Sequence, residues 1–359
     1  MPRVYFAPHA REIDVQAGTT LIRAALEAGV HINASCGGTG VCGKCRVLVE
    51  EGELQGGVNE KLSEADQAKG YRLACQATVA SDVKIRVPVE SEMDAAVLNA
   101  QASPRRTAHI RQVDLQDFKE KGLFLPPVEK RYLAMHPPSA EYNVSDVTRV
   151  VNTLKLDHDE HRLEVGFYLI RKVADVLREQ DFKATVTLAR PVHEDGKTGV
   201  INIQAGDTTA RNYAVAMDVG TTTVYGQILD LNSGEVQAEY GDFNAQMSYG
   251  EDVINRIVHA EKGNGLEELT TAVLKTINNV IHRIMKKADV DPEDISTITL
   301  AGNTTMTQLL LKLNPRYIRR SPYVPVCTLF PPIKAHELGI DLGDHVLALV
   351  YPSISSYVG

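Results

Sequence analysis

The rhythm of apolar and polar positions changes several times along this chain, and each change marks a segment. Near the N-terminus the apolar positions fall in short clusters. Val4, Tyr5 and Phe6, then Ile13 and Val15, predict two strands. Thr19 or Thr20 is placed to cap the helical run LIRAALEAGV, which Gly29 stops. A loop rich in glycine and cysteine follows. After it come an alternating strand over 45–50, a polar stretch and a closing strand over 83–87. From about 91 to 125 the chain is polar and unpatterned, as a linker is, with one short helix expected near 117–121. Residues 126–206 mix a proline-marked stretch (MHPPSAEYNVSD), a helical run (ADVLREQ) and strands over 184–188 and 199–203, which predicts a small α+β domain.

From Tyr213 the pattern sharpens. Val215, Met217 and Val219 alternate toward the turn DVGTTT, and a second strand over 224–231 ends at the hairpin sequence Asn232-Ser233-Gly234. A long helix is expected over 266–288. Leu266, Leu269, Val273, Ile277, Val280, Ile284 and Ala288 make one stripe, and Lys286 and Lys287 favour its C-terminal end. The strand ISTITLA, the turn GNTT and the helix MTQLLLKL complete the pattern.

Chemistry enters with the cysteines. Cys36, Cys42 and Cys45 stand in SCGGTGVCGKC, and Cys75 follows after 29 residues. Four thiolates, three of them from one tight loop, are what a [2Fe–2S] cluster requires. Gly37, Gly38, Gly40 and Gly43 let backbone N–H groups approach such a cluster. The gap between the first two cysteines is one residue longer than in plant-type ferredoxins and matches the adrenodoxin type. Zinc normally takes paired Cys-x2-Cys knuckles, and only one pair is present. A zinc site and inert cysteines are the alternatives. The order of hairpin, helix, loop and further strands is that of a β-grasp ferredoxin.

The second candidate site is a pair of turns. Asp218, followed by Gly220, Thr221, Thr222 and Thr223, suits a phosphate-cradling hairpin whose carboxylate holds Mg²⁺ through water. Gly302, Asn303, Thr304 and Thr305 form a strand-to-helix turn, a ready anion site. Either alone is equally well an ordinary capped turn; the two together favour a nucleotide site. In SYGEDV, Glu251 or Asp252 would position Mg²⁺ or water, or would simply cap the helix that contains Arg256. His158 and His161 read as part of a solvated acidic loop, and Cys327 as a small buried apolar residue.

Bulk properties narrow the class. The 359 residues allow two to four domains. A net charge of −8 argues against a nucleic-acid partner. The longest apolar runs are too short to span a bilayer, and the first residues lack a secretory core. With clustered cysteines, these features predict a cytoplasmic protein with a metal site rather than disulfides.

Taken together, the cysteine loop, the stretch PPVEKRYLAMHPPSAEYNVSD, and the motifs DVGTTT, YGEDVINRI and GNTTMTQLLL resemble the reductive activators of corrinoid proteins over essentially the whole chain. The resemblance implies a multidomain α+β and α/β protein: a β-grasp [2Fe–2S] domain (1–90), a linker (91–125), an α+β middle domain (126–206), and the first ribonuclease-H-like subdomain of an actin, sugar-kinase and chaperone (ASKHA) type ATPase (207–359). It implies ATP with Mg²⁺ beside the cluster, a low-potential electron donor, and a corrinoid partner from a methyltransferase system whose Co(II) is returned to Co(I). Plant-type clusters lie near about −400 mV, and cobalt couples of this kind are generally lower. ATP would therefore have to shift a conformational equilibrium, such as cobalt coordination. The family continues into a second ATPase subdomain where this chain stops, so weak ATP binding by the chain alone is expected. A homodimer through the middle domain is compatible with the sequence. An ATP-independent electron carrier and a nucleotide-regulated redox-sensing assembly factor are the competing functions.

Overall fold

The computed structural model describes residues 1–30, 32–34, 38, 40–88, 91, 120–121, 126–191, 195–250 and 252–354. The helix expected near 117–121 lies largely outside them.

The N-terminal unit is built from β1 (Arg3–Ala7), β2 (Arg11–Asp14), α1 (Leu21–Glu27), β3 (Arg46–Glu51), β4 (Leu54–Gly56), α2 (Glu64–Ala68), β5 (Tyr71–Leu73), β6 (Ala77–Val79) and β7 (Val83–Arg86). Five strands pair in the order β2-β1-β7-β3-β5, with β1 and β7 parallel, and β4 pairs separately with β6. Val4, Phe6, Val47 and Ile85 alternate onto the buried face, where Leu21, Ala24 and Ala25 of α1 cover them. Thr20 occupies the N-cap of α1 without a side-chain cap bond, and Gly29 takes a positive φ just beyond its end.

The middle unit comprises β8 (Val128–Ala134), α3 (Asp146–Asp157), β9 (Leu163–Val165), α4 (Phe167–Glu179), β10 (Lys183–Ala189) and β11 (Thr198–Ala205). Its sheet runs β8-β10-β11-β9. The central strand β10 is almost wholly buried, and α3 and α4 pack apolar stripes (Val150, Leu154; Leu169, Val173, Leu177) over one face.

The third unit contains β12 (Tyr213–Val219), β13 (Thr223–Asp230), β14 (Val236–Phe243), a 3₁₀ turn (Ala245–Tyr249), α5 (Val253–Ala260), α6 (Gly265–Ala288), β15 (Ile295–Ala301), α7 (Thr304–Leu310), β16 (Ile333–Lys334) and β17 (Leu347–Val350). The strand order is β14-β13-β12-β15-β17-β16. Three antiparallel strands are joined through β12 to parallel β15 and β17, which is the ribonuclease-H-like arrangement. The expected helical stripe is observed: Leu269, Val273, Ile277, Val280 and Ile284 of α6 are fully buried in this core, with Leu266 and Ala288 at its margin. Glu267 and Glu268 in its first turn and Lys286 and Lys287 in its last complement the helix dipole. Among the described residues no helix is long and apolar enough to cross a membrane.

Candidate functional sites

Two places gather functional groups. The first is the cysteine loop. Cys45, just before β3, and Cys75, between β5 and β6, are buried with their sulfurs 3.3 Å apart. That is too long for a disulfide and sets two thiol sulfurs side by side. Cys42 is half-buried in the loop, and Cys36 lies outside the described residues. Among the described residues no three metal-ligating side chains come together. The loop is held from outside: Asn59 Nδ2 donates to the Gly40 carbonyl at 2.9 Å, Arg46 Nε to that of Gly43 at 3.2 Å, and Gln76 Nε2 to that of Gly38. Gly40 has φ +80°, and a Cβ there would come within 3.0 Å of the Gln76 side chain. Buried, soft, paired sulfur donors beneath a glycine loop fit an iron–sulfur cluster better than oxygen-seeking ions.

The second is a crevice at the carboxyl ends of β12 and β15. These parallel neighbours pair Asp218 with Ala301, and their connections leave in opposite directions, to β13 on one side and toward β17 on the other. Such a switch point opens a cleft between two turns. The first turn (220–223) closes with Gly220 N–H donating to the Thr223 carbonyl at 2.9 Å. The second turn meets it directly, since Asn303 Nδ2 donates to Thr221 Oγ1 at 3.1 Å. Asn303 also caps α7, its Oδ1 accepting from Met306 N–H at 3.0 Å. At Gly302 a Cβ would lie 2.8 Å from the Val219 carbonyl, so glycine is what lets the two strand ends converge. Thr222 is exposed, Gly220, Thr221 and Thr223 are half-buried, and Thr304 is fully buried. Asp218 points its side chain to solvent from a crowded strand end, where desolvation pushes its carboxyl pKa up.

The turns are braced from behind. Asn244 donates its backbone N–H to the Thr222 carbonyl and its Nδ2 to that of Gly220, each at 2.8 Å. Arg256, fully buried on α5, donates Nη2 to the Thr221 carbonyl, Nε to that of Gly250 at 2.7 Å and Nη1 to Gln246 Oε1 at 3.0 Å. Burial pulls its pKa down to about 10, so it remains a cation at neutral pH. Neither Asn244 nor the bracing role of Arg256 was evident in the sequence; an arginine set among the apolar residues of VINRIVHA was the only signal. Asp252 is the N-cap of α5, and both its oxygens accept from Asn255, at 2.9 and 2.8 Å. Glu251 lies outside the described residues. His161 pairs with Asp159 on the surface at 2.7 Å, as a solvated loop would. Cys327, expected to be buried, is half-exposed beside exposed Val326 and Leu329, because its loop follows no regular element; its thiol donates to the Leu329 carbonyl at 2.6 Å.

Fold and sites define a ferredoxin-type iron–sulfur unit joined to a ribonuclease-H-like body. Residues 4–80 match the 2Fe-2S iron-sulfur cluster binding domain, 118–210 the RACo linker region, and 213–359 the RACo middle region. With these three regions in this order, the chain is similar to the reductive activators of corrinoid proteins along its length. It is 25% identical over 362 aligned residues to the corrinoid activation enzyme RamQ of Eubacterium limosum, covering 99% of this chain and 54% of that protein. A solved structure of a reductive activator for a corrinoid, iron–sulfur protein superposes with a TM-score of 0.58 at 33% identity, over 100% of this chain and 56% of that one. A further similarity, 32% identity over 176 residues, is to the electron transfer component of toluate 1,2-dioxygenase of Pseudomonas putida, covering 45% of this chain and 47% of that protein. The chain thus spans about half the length of the corrinoid-linked relatives it matches.

Proposed function

We propose that this chain carries the electron-delivering and phosphate-sensing parts of an ATP-dependent reductase that returns a corrinoid protein of a methyltransferase system from Co(II) to Co(I). The observation that carries this reading is the presence on one chain of the Cys45–Cys75 sulfur pair and a two-turn crevice tied by Asn303 and Thr221.

Cys36, Cys42, Cys45 and Cys75 would hold the [2Fe–2S] cluster, which supplies a one-electron couple near about −400 mV. The protein buries two of these sulfurs and fixes the loop carbonyls from outside, so that backbone N–H groups stay free to face inward. A low-potential donor gives one electron to the chain, and the partner's Co(II) takes one to become Co(I); no proton is exchanged. Each 59 mV uphill costs about 1.4 kcal/mol for one electron, which ATP would offset through a conformational change. In the crevice, the N–H groups and hydroxyls of Gly220, Thr221, Thr222 and Thr223 and the turn of Gly302, Asn303 and Thr304 would receive phosphate. Asp218, desolvated and without a hydrogen-bond or ion-pair partner among the described residues, would hold Mg²⁺ through water. Asp252 is engaged in capping α5, which leaves the role of orienting water to Glu251.

The test is anaerobic. The chemically reduced protein is mixed with a Co(II) corrinoid protein, and Co(I) absorbance is followed with and without MgATP. Co(I) that forms only with MgATP is the expected result. Equal reduction without nucleotide would make the chain a plain electron carrier. ATP hydrolysis that tracks the oxidation state of the cluster without Co(I) would make it a redox-sensing assembly factor.

A further inference from the structure

The segment that braces the first phosphate turn is also the surface on which the ferredoxin unit sits. On its front, Asn244 holds the Gly220 and Thr222 carbonyls, and Arg256 ties the Thr221 carbonyl to Gln246 and Gly250. On its back, Ala245 and Ala272 bury Leu26 of α1, with Tyr249 packed alongside. Lys275 of α6 donates Nζ to the last carbonyls of α1, Leu26 at 2.8 Å and Glu27 at 3.3 Å, placing a cation at the negative end of that helix. A second line runs from Arg23 to Glu268 (3.9 Å), to His259 (2.7 Å), to the ring of Tyr249 (centroids 4.8 Å apart). Ala245 N–H is meanwhile fixed on Thr276 Oγ1 at 3.1 Å, so the segment has little room to move on one side without moving on the other.

We propose that docking of the ferredoxin unit and ordering of the phosphate turn are a single coupled equilibrium, transmitted through residues 244–250. The docked arrangement is the one in which all three turn carbonyls are held. A filled turn therefore favours the docked unit, and an emptied turn releases it. Among the described residues the seam is small: one apolar contact of three buried residues and a few polar ties. Units joined this way separate readily. This inference rests on the phosphate reading of the crevice for its functional meaning, although its mechanical part stands apart from it.

The experiment is hydrogen exchange on the full chain with its cluster in place, comparing wild type with Leu26→Asp and the milder Lys275→Gln. Small-angle scattering reports undocking as expansion, and the visible spectrum of the cluster reports that the ferredoxin unit stays folded. Expected are amides of 244–247 and the 220–223 turn that exchange about tenfold faster in both variants, within the usual range of coupling between sites. Amides of β10 should be unmoved. Expansion with unchanged exchange at these amides would overturn the proposal. MgADP, titrated to millimolar concentration because binding by this chain is expected to be weak, is the second arm: in wild type it should slow exchange at 244–249 and compact the chain. If MgADP protects 220–223 but leaves 244–249 and the compactness unchanged, the coupling fails while the phosphate reading survives. If MgADP protects nothing while Leu26→Asp still loosens 220–223, the phosphate reading fails and the mechanical coupling survives.

Discussion

The ribonuclease-H-like body meets its two neighbours through seams of opposite construction. Toward the middle unit it presents the turn Pro292–Asp294, on which charges converge. Asp294 receives Lys130 Nζ at 3.1 Å, Gln204 Nε2 at 2.8 Å and Arg211 Nε at 2.8 Å. Glu293 receives Tyr168 Oη at 2.7 Å and Lys172 Nζ at 2.8 Å. Toward the ferredoxin unit, among the described residues, it presents a small apolar patch of Ala245, Tyr249 and Ala272, with Lys275 and the half-exposed Glu268 beside it. A charged network with several geometric requirements fixes one arrangement, whereas a small apolar contact tolerates separation and return. The body is therefore built to be rigid on one side and detachable on the other.

The contrast breaks first at Asp294. Replacing it with alanine leaves Lys130, whose side chain is 2% exposed, buried without its carboxylate. A loss of about 3–5 kcal/mol in denaturant unfolding is expected. A loss below about 1 kcal/mol would show that the charged seam is dispensable.

Acidification should come next. His345 is buried against Tyr168 (ring centroids 5.7 Å apart), donates Nε2–H to the Ile295 carbonyl at 3.0 Å, and has no partner at Nδ1 among the described residues. Burial pushes its pKa down to about 4 from an ordinary 6.5. The unfolded chain thus binds more protons between those values. The His345 contribution should lower stability by roughly 3 kcal/mol as pH falls from 6.5 to 4 and change no further below that. Partial burial opposes ionisation of Glu293, but its bonds from Lys172 and Tyr168 prevail and hold it at about 2. Its contribution is complete above pH 4.5 and is lost as pH falls from there toward 2. His345→Asn should flatten the upper window of a pH–stability curve and leave the lower one; an unchanged upper window would remove His345 from this account.

The smallest effect should come from the detachable side. Arg23 is 56% exposed, and its 3.9 Å contact with Glu268 is a surface pair. Arg23→Gln should cost about 0.2–1 kcal/mol. A much larger loss in thermal unfolding would mean that the two seams are more alike than their chemistry suggests.

Much of this was legible in the sequence where the signal is local. The Cys42–Cys45 spacing, the stripe on α6 and the turns after Asp218 and Ala301 each lie within a short stretch of chain. The strand β14 was not, because in VQAEYGDF the buried positions Ala238, Gly241 and Asp242 follow no apolar alternation. The seam at Asp294 was not either. Its partner Lys130 lies 164 residues away, and nothing in either neighbourhood announces the pair. Arg256 falls between these cases: its helix was visible, but its buried place was set by turns that close only in three dimensions.

Arg256 has one more consequence. Through a single guanidinium it joins chain positions 35 residues apart at Thr221 and 50 residues apart at Met306, whose Sδ lies 3.2 Å from Nη1. Topologically it is a cross-link, closing two loops as a disulfide would. Unlike a disulfide, it survives the strongly reducing conditions that low-potential iron–sulfur chemistry demands, and it leaves every thiol of the chain to other uses.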